Sequence, residues 1–86
     1  MHVTPAVSII IPAYNESESI QSSIARIARN VSLPFEVIVV VDSAEDTTIP
    51  VIQEIQKEIP QVRVEIQDSR GPAAAIKYGF TQAIAP

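Results

Sequence analysis

The chain of 86 residues contains no cysteine and no long hydrophobic run. Without cysteine it forms no disulfide, no thiolate metal site and no cysteine nucleophile. Its apolar runs are far too short to span a bilayer, and Met1–Pro5 lacks the basic start and apolar core of a signal peptide. We therefore expect no transmembrane segment and a cytoplasmic location.

Histidine, glycine and positive charge are also scarce. The single histidine is His2, close to the terminus, so neither a Ser-His-Asp triad nor a histidine metal site is expected. No Gly-rich phosphate loop follows a strand-like segment. Six basic residues stand against ten acidic ones, for a net charge of −4. This balance argues against nucleic acid or an anionic membrane surface as the main partner.

Three apolar segments are predicted to be β-strands. Val7–Ile11 and Phe35–Val41 are β-branched runs, which are typical of strands buried on both faces of a sheet. Val62–Ile66 alternates apolar and charged residues, which is typical of a half-exposed strand. Its charges would protect a sheet edge from unwanted pairing, so this third strand is predicted to lie at an edge.

A helix is predicted after each of the first two strands. Asn15 and Glu18 have the spacing of a capping box and would open the first helix. Asp46 or Thr47 would cap the second helix, and Pro60 would end it. Strand, short loop and helix therefore alternate along the chain.

The third helix completes an α/β pattern. It would begin at Gly71-Pro72 and extend to about Ala85, which gives the element order βαβαβα. Right-handed crossovers would make the sheet parallel and place helices on its faces, in three layers. With the second strand in the middle, the strand order is 3-2-1.

In a parallel sheet the loops after all three strands lie along one rim, where open α/β sheets bind ligands. Those loops comprise residues 12–16, 42–46 and 67–71. Asp42 ends a buried strand, where a carboxylate is costly unless donors meet it, and the N–H groups of a nucleobase would do so. Val40 points to the same face and would flank such a base. The alternative is that Asp42 only caps its polar loop.

Other residues of this rim have two interpretations each. Tyr14 can stack on a ring or be a solvated loop tyrosine, and Glu16 can contact ligand hydroxyls or only favour the helix dipole. The helix start at Gly71 could receive a phosphate on its free backbone N–H groups, because Arg70 and Lys77 would supply counter-charges. Arg70 can equally be a solvated loop cation.

Three motifs carry a resemblance to a known family. They read S-I-I-I-P-A-Y-N-E, E-V-I-V-V-V-D and R-G-P-A-A-A-I-K-Y-G-F, and they span residues 8–16, 36–42 and 70–80. In this order and at these separations the chain resembles the N-terminal part of a family 2 glycosyltransferase. The resemblance implies half of a Rossmann-like fold known as GT-A. The acidic-Thr loop and the R-G-P run are most similar to the dolichol- or polyprenyl-phosphate mannosyltransferase branch.

The resemblance implies inverting transfer of a hexose from a GDP- or UDP-sugar to an acceptor such as polyprenyl phosphate. In the family, the residues that surround the nucleoside of the donor match Pro12, Tyr14, Glu16, Val40 and Asp42. One departure concerns Ser43, which stands where the common pattern has a second aspartate. That replacement removes the carboxylate that would contact the ribose.

The resemblance also implies Mg²⁺ or Mn²⁺ in the intact enzyme, which could be associated with a membrane. The chain ends before the family's D-x-D metal motif and catalytic base, so residues 1–86 are interpreted as a nucleotide-binding half that is inactive alone. Metal ligands and catalytic residues are therefore not expected here. The acidic cluster of Asp42, Glu45 and Asp46 is interpreted as a solvated cap rather than a cation site. The alternative function is a non-enzymatic nucleotide-binding or regulatory α/β module.

Assembly is predicted from the strand patterns. With the second strand in the middle, the first strand, Val7–Ile11, is left with an apolar and unpaired edge. Such an edge invites pairing with another chain. We therefore expect a homo-oligomer, joined through this sheet edge or by exchange of the third helix.

Overall fold

The computed structural model describes residues 4–67 and 71–85. The predicted order βαβαβα is confirmed. The strands are β1 (Val7–Pro12), β2 (Phe35–Val41) and β3 (Val62–Ile66). The helices are α1 (Ile20–Asn30), α2 (Thr48–Ile55) and α3 (Pro72–Gln82). None of these helices has the length and apolar character needed to cross a bilayer.

The three strands form one parallel sheet with β2 in the centre. Val7 of β1 is in register with Phe35 of β2, and Val37 of β2 is in register with Val62 of β3. The α/β class, the parallel sheet and the predicted order 3-2-1 are confirmed, and the arrangement is consistent with half of a Rossmann-like fold. The carboxyl ends of all three strands therefore meet at one rim.

Burial differs between the two apolar strands. From Glu36 to Val41, β2 is buried throughout, as predicted for a central strand. Every residue of β1 is only half-buried, so the prediction of a strand buried on both faces is wrong for β1. Among the described residues β1 pairs with β2 alone, so its other edge has no strand beside it. That a second copy of the chain pairs with this edge stays a prediction.

One face of the sheet packs against α1 and α2, and we call it the two-helix face. Its core contains the alternate β2 residues Val37, Val39 and Val41, together with Ile24 of α1 and Ile52 of α2. All five side chains are fully buried. This face holds the larger of the two apolar clusters among the described residues.

The opposite face packs against α3 alone, and we call it the one-helix face. Ile38 and Val40 of β2 meet Ala75 of α3 there, as expected for strand residues that alternate with those of the other face. The helix lies so close to β1 that a methyl group added at Gly79 would overlap the Ile10 side chain. The buried residues of α3 are therefore the small ones, Ala75 and Gly79, whereas Phe80 is 68% exposed.

A buried charge network lies on the one-helix face, at the amino ends of the strands. The carboxylate of Glu36 accepts hydrogen bonds from the Ser8 hydroxyl, the Arg63 guanidinium and the Ile84 backbone N–H. Arg63 also donates to the Gln82 carbonyl at 2.6 Å. Burial raises the pKa of Glu36, but these donors outweigh burial and bring the pKa to about 2. The network thus fastens the end of α3 to the sheet.

The ends of α2 and α3 differ from the prediction. The second helix ends at Ile55, before Pro60, and a turn covers the residues between them. The third ends at Gln82 rather than near Ala85, since the backbone is extended at Ala83. Beyond that point the chain instead donates backbone N–H groups to the Glu36 network.

The predicted start of α1 is also wrong. Asn15 and Glu18 do not form a capping box, because α1 begins at Ile20 with Ser19 at the N-cap position. Asn15 has a φ of 48°, in the left-handed region, and so takes part in a turn rather than a helix. This turn lies at the rim of the sheet.

Candidate functional site

A cleft of about 360 Å³ opens at the carboxyl rim of the sheet, on the one-helix face. Its walls come from the loop between β1 and α1, the end of β2 and the first turn of α3. The lining residues are Pro12, Ala13, Tyr14, Glu16, Val40, Asp42, Gly71, Pro72 and Ala75. The position is the one at which open α/β sheets bind ligands.

The structure brings most of the candidate residues together. Pro12, Tyr14, Glu16, Val40, Asp42 and Gly71 all line this cleft. Lys77 does not line it and is exposed on α3. Arg70 lies outside the described residues. Ala75 is buried in the cleft wall and was not predicted as a site residue, because it has no polar group that would indicate a role in binding.

The loop between β1 and α1 is held by the loop between β2 and α2. The buried carboxylate of Asp46 accepts the Asn15 backbone N–H at 3.0 and 3.2 Å, and the Thr48 hydroxyl accepts the Glu16 N–H at 2.9 Å. In return, the Asn15 side-chain oxygen accepts the Thr47 N–H at 3.1 Å. We call this set of bonds the loop clamp.

Asp46 is the central residue of the loop clamp. It is 6% exposed and also accepts the Thr48 backbone N–H at 2.8 Å, so of the two predicted caps for α2 it is Asp46 that bonds the first turn. Burial raises the pKa of Asp46, but hydrogen bonds from Thr48 and Asn15 outweigh burial and hold the pKa below its usual value. The ionised carboxylate therefore stabilises the turn that carries Tyr14 and Glu16.

Asp42 is also held in place. Its Oδ1 accepts a hydrogen bond from the Gln67 side-chain nitrogen at 2.8 Å. Gln67 directly follows β3 and is 3% exposed, and it stands behind Asp42 rather than in the cleft lining. Gln67 belongs to the predicted rim loop of residues 67–71, but it was not among the predicted site residues. A polar residue directly after a strand at this rim was the available signal.

The charges of the cleft indicate which ligand groups it can accept. The described lining includes the carboxylates of Glu16 and Asp42 and no lysine or arginine. Carboxylates accept hydrogen bonds from N–H and O–H groups and repel phosphate. Val40 and Ala75 add buried apolar surface. The lining therefore fits a partly apolar group with N–H or O–H donors.

A divalent metal, which the resemblance implies for the intact enzyme, does not fit the described residues. Within residues 4–67 and 71–85 no three acidic or histidine side chains converge as metal ligands. The Asp46 carboxylate, a member of the acidic cluster, is already used by backbone N–H groups.

Comparisons with known proteins identify relatives over nearly the whole chain. The uncharacterized glycosyltransferase YfnE of Bacillus subtilis is 35% identical over 78 residues, which are 90% of this chain and 19% of that protein. The dolichol-phosphate mannosyltransferase of Pyrococcus furiosus is 33% identical over 78 residues, 90% of this chain and 22% of that protein. The poly-beta-1,6-N-acetyl-D-glucosamine synthase of Staphylococcus aureus (strain COL) is 29% identical over 77 residues, again 90% of this chain and 19% of that protein.

The chain thus spans about a fifth of the length of the curated relatives that it matches. The family model described as glycosyl transferase family 2 matches residues 8–85, which include all three strands from Ser8 onward and all three helices. The resemblance given by the three motifs is confirmed. The chain belongs to glycosyl transferase family 2.

Proposed function

We propose that this chain holds the nucleoside of a nucleotide-sugar donor in a glycosyl transfer reaction. The observation that carries the proposal is the cleft at the carboxyl rim of the sheet, which is lined by Tyr14, Glu16, Val40 and Asp42. Its volume of about 360 Å³ lies within the usual range for small-molecule sites. Membership of glycosyl transferase family 2 supports a nucleotide sugar as the ligand class.

The base would lie over the buried apolar surface of Val40 and donate an N–H group to Asp42. Guanine N1–H and uracil N3–H are both ring N–H donors, so one carboxylate can accept a hydrogen bond from either base. Tyr14 is 73% exposed at the cleft mouth, where its ring is free to stack on the ligand. Glu16 would accept hydrogen bonds from sugar hydroxyls. The two carboxylates favour the nucleoside over the diphosphate as the part bound among these residues.

The diphosphate would point toward the start of α3, where Gly71 lines the cleft. Backbone N–H groups at a helix start attract phosphate, although Pro72 contributes none. Arg70 and Lys77 remain candidates for counter-charges by sequence position only.

For the intact enzyme we propose hexose transfer, with inversion, to an acceptor hydroxyl or to polyprenyl phosphate. The names of two relatives support sugar transfer: one is a dolichol-phosphate mannosyltransferase and the other is a poly-beta-1,6-N-acetyl-D-glucosamine synthase. The names differ in both sugar and acceptor, so the proposal extends to the class of reaction. That the 86-residue chain alone transfers no sugar stays a prediction.

Calorimetric titration with GDP, UDP and their sugar conjugates tests the nucleoside pocket. Asp42→Ala removes the charged acceptor, so affinity is expected to fall by about tenfold or more while the fold persists. Glu45→Ala is the matched control, because it removes the same charge from the same loop and Glu45 is outside the cleft lining. Equal affinities for Asp42→Ala and Glu45→Ala would show that Asp42 does not bind the base.

A further inference from the structure

Gln67 lies behind the cleft and connects two of its walls. Its side-chain nitrogen donates to Asp42 Oδ1 at 2.8 Å and approaches the Gly71 carbonyl oxygen at 3.4 Å. Asp42 ends β2, whereas Gly71 precedes α3, so a single amide group contacts both sides of the opening. The side chain is 3% exposed and does not line the cleft.

The amide group suits this position chemically. A primary amide has two N–H donors on one nitrogen, and here one is directed to a carboxylate and the other to a backbone carbonyl. Donation to one oxygen of Asp42 fixes the rotation of the carboxylate, and within residues 4–67 and 71–85 no side chain or backbone group donates to Oδ2. The weaker contact with Gly71 limits how far the start of α3 lies from the end of β2.

We propose that Gln67 is a positioning residue for nucleoside binding: it fixes the Asp42 carboxylate and the spacing between Asp42 and Gly71. The proposal rests on the nucleoside pocket proposed above and assigns a role to a residue that does not touch the ligand. A residue that only filled space behind the cleft would be replaceable by a side chain of the same size. The two roles therefore predict different results for isosteric variants.

Gln67→Glu is the most informative variant. At about pH 8 two carboxylates would face each other, so Asp42 would turn away and affinity for a nucleoside diphosphate would fall by about tenfold or more. At about pH 5 such a close pair is expected to share one proton, so residue 67 again donates to Asp42 and affinity returns to within about threefold of wild type. Wild type, measured at the same two pH values, corrects for every other effect of pH on binding.

Two further variants separate positioning from folding. Gln67→Met keeps the volume but loses both donors, so affinity is expected to fall about tenfold at both pH values without recovery. Gln56→Glu is the matched control, because Gln56 also donates through its side-chain nitrogen, to the Val62 carbonyl at 2.9 Å, and lies outside the cleft lining. It is expected to leave nucleotide affinity unchanged. Circular dichroism at both pH values verifies the fold of each variant.

Calorimetric titration of these variants with GDP and UDP decides whether Gln67 positions Asp42 or only fills space. Weakened binding by Gln67→Met, with recovery of Gln67→Glu at low pH, supports the positioning role. If wild type binds a nucleotide and Gln67→Met binds it equally well, the positioning role is overturned. The proposed nucleoside pocket is then unaffected. A wild-type chain that binds neither nucleotide overturns the nucleoside pocket, and the role of Gln67 in it falls as well.

Discussion

The two faces of the sheet use the same central strand for different purposes. On the two-helix face, Val37, Val39 and Val41 of β2 pack into a cluster that is apolar throughout. On the one-helix face, Ile38 and Val40 lie between a buried charge network at one end and a cleft at the other. Alternation of side chains along one strand thus separates a stabilising face from a face that has room for a ligand.

The number of helices on each face explains why one face is apolar throughout and the other holds a cleft. Two helices cover one face, whereas α3 covers the other alone and leaves its rim open. With less apolar surface available on the one-helix face, polar contacts hold α3 at its end, through Glu36 and Arg63. Hydrophobic burial therefore stabilises one face more than the other. Three predictions, each made with its own substitutions, test this contrast.

The largest effect is expected from a cavity in the two-helix face. Ile24 and Ile38 are both fully buried isoleucines, one in each cluster. We expect Ile24→Ala to lower the free energy of unfolding by about 4 kcal/mol and Ile38→Ala by about 2 kcal/mol, because neighbours beside an open cleft relax more easily. Urea denaturation followed by circular dichroism measures both values.

A pair of conservative substitutions keeps the comparison between the two faces measurable. Because a domain of this size has a stability of only about 4–13 kcal/mol, Ile24→Ala could unfold it. Ile24→Val and Ile38→Val remove one methyl group each and should cost about 1 kcal/mol or slightly more, again with the larger loss at Ile24. Equal losses at the two positions would show that both faces are packed with the same rigidity.

The second effect concerns pH and the one-helix face. The pKa of Glu36 falls from 4.5 to about 2 in the folded chain, so its ionised form stabilises the fold. This contribution is complete above about pH 4.5 and is lost as the pH falls towards about 2, for a total of about 3 kcal/mol. Urea denaturation across this range should show stability declining with acid.

Glu36→Gln isolates this contribution. The variant should be less stable at about pH 7 by about 2–3 kcal/mol, because Arg63 loses its buried partner. Its pH dependence should be flatter than that of wild type. Asp46, whose pKa is also lowered, titrates in both chains and cancels from the difference. Parallel pH profiles for the two chains would contradict the role given to Glu36.

The smallest effect is expected at Gly79. In an exposed helix Gly→Ala stabilises by about 1 kcal/mol, but here the added methyl group would overlap Ile10, and overpacking costs about 1–3 kcal/mol. We therefore expect Gly79→Ala to destabilise by about 1 kcal/mol in thermal unfolding. In an Ile10→Ala background, Gly79→Ala should destabilise less than it does in wild type, because the side chain that it overlaps has been removed. A gain of stability from Gly79→Ala would show that α3 lies farther from β1.

Much of the fold was predictable because its signals are local. The limits of β2 and β3 follow from apolar runs and alternation, and Gly71-Pro72 correctly predicts the start of α3. The start of α1 was not predictable in the same way. Asn15 has the local pattern of a cap, but bonds to a loop more than 30 residues later hold it in a left-handed turn.

The residues of the site were also predictable only where their signals are local. Asp42 and Gly71 were recognisable because they stand at strand and helix ends along one rim. Gln67 was not, since its role depends on a side chain 25 positions away in sequence. Glu36 is the one charged residue within the apolar run Phe35–Val41, yet its partners come from β1, from β3 and from the residues after α3. Contacts between distant segments carry this information, and no local pattern reports them.

The loop clamp has a consequence for binding. The turn that carries Tyr14 and Glu16 is fixed by Asp46 and Thr48, which belong to the protein and are present with or without a ligand. This part of the cleft is therefore preorganised, and a ligand does not spend binding free energy on ordering its backbone. Only the exposed side chains, such as Tyr14, remain to be immobilised on binding.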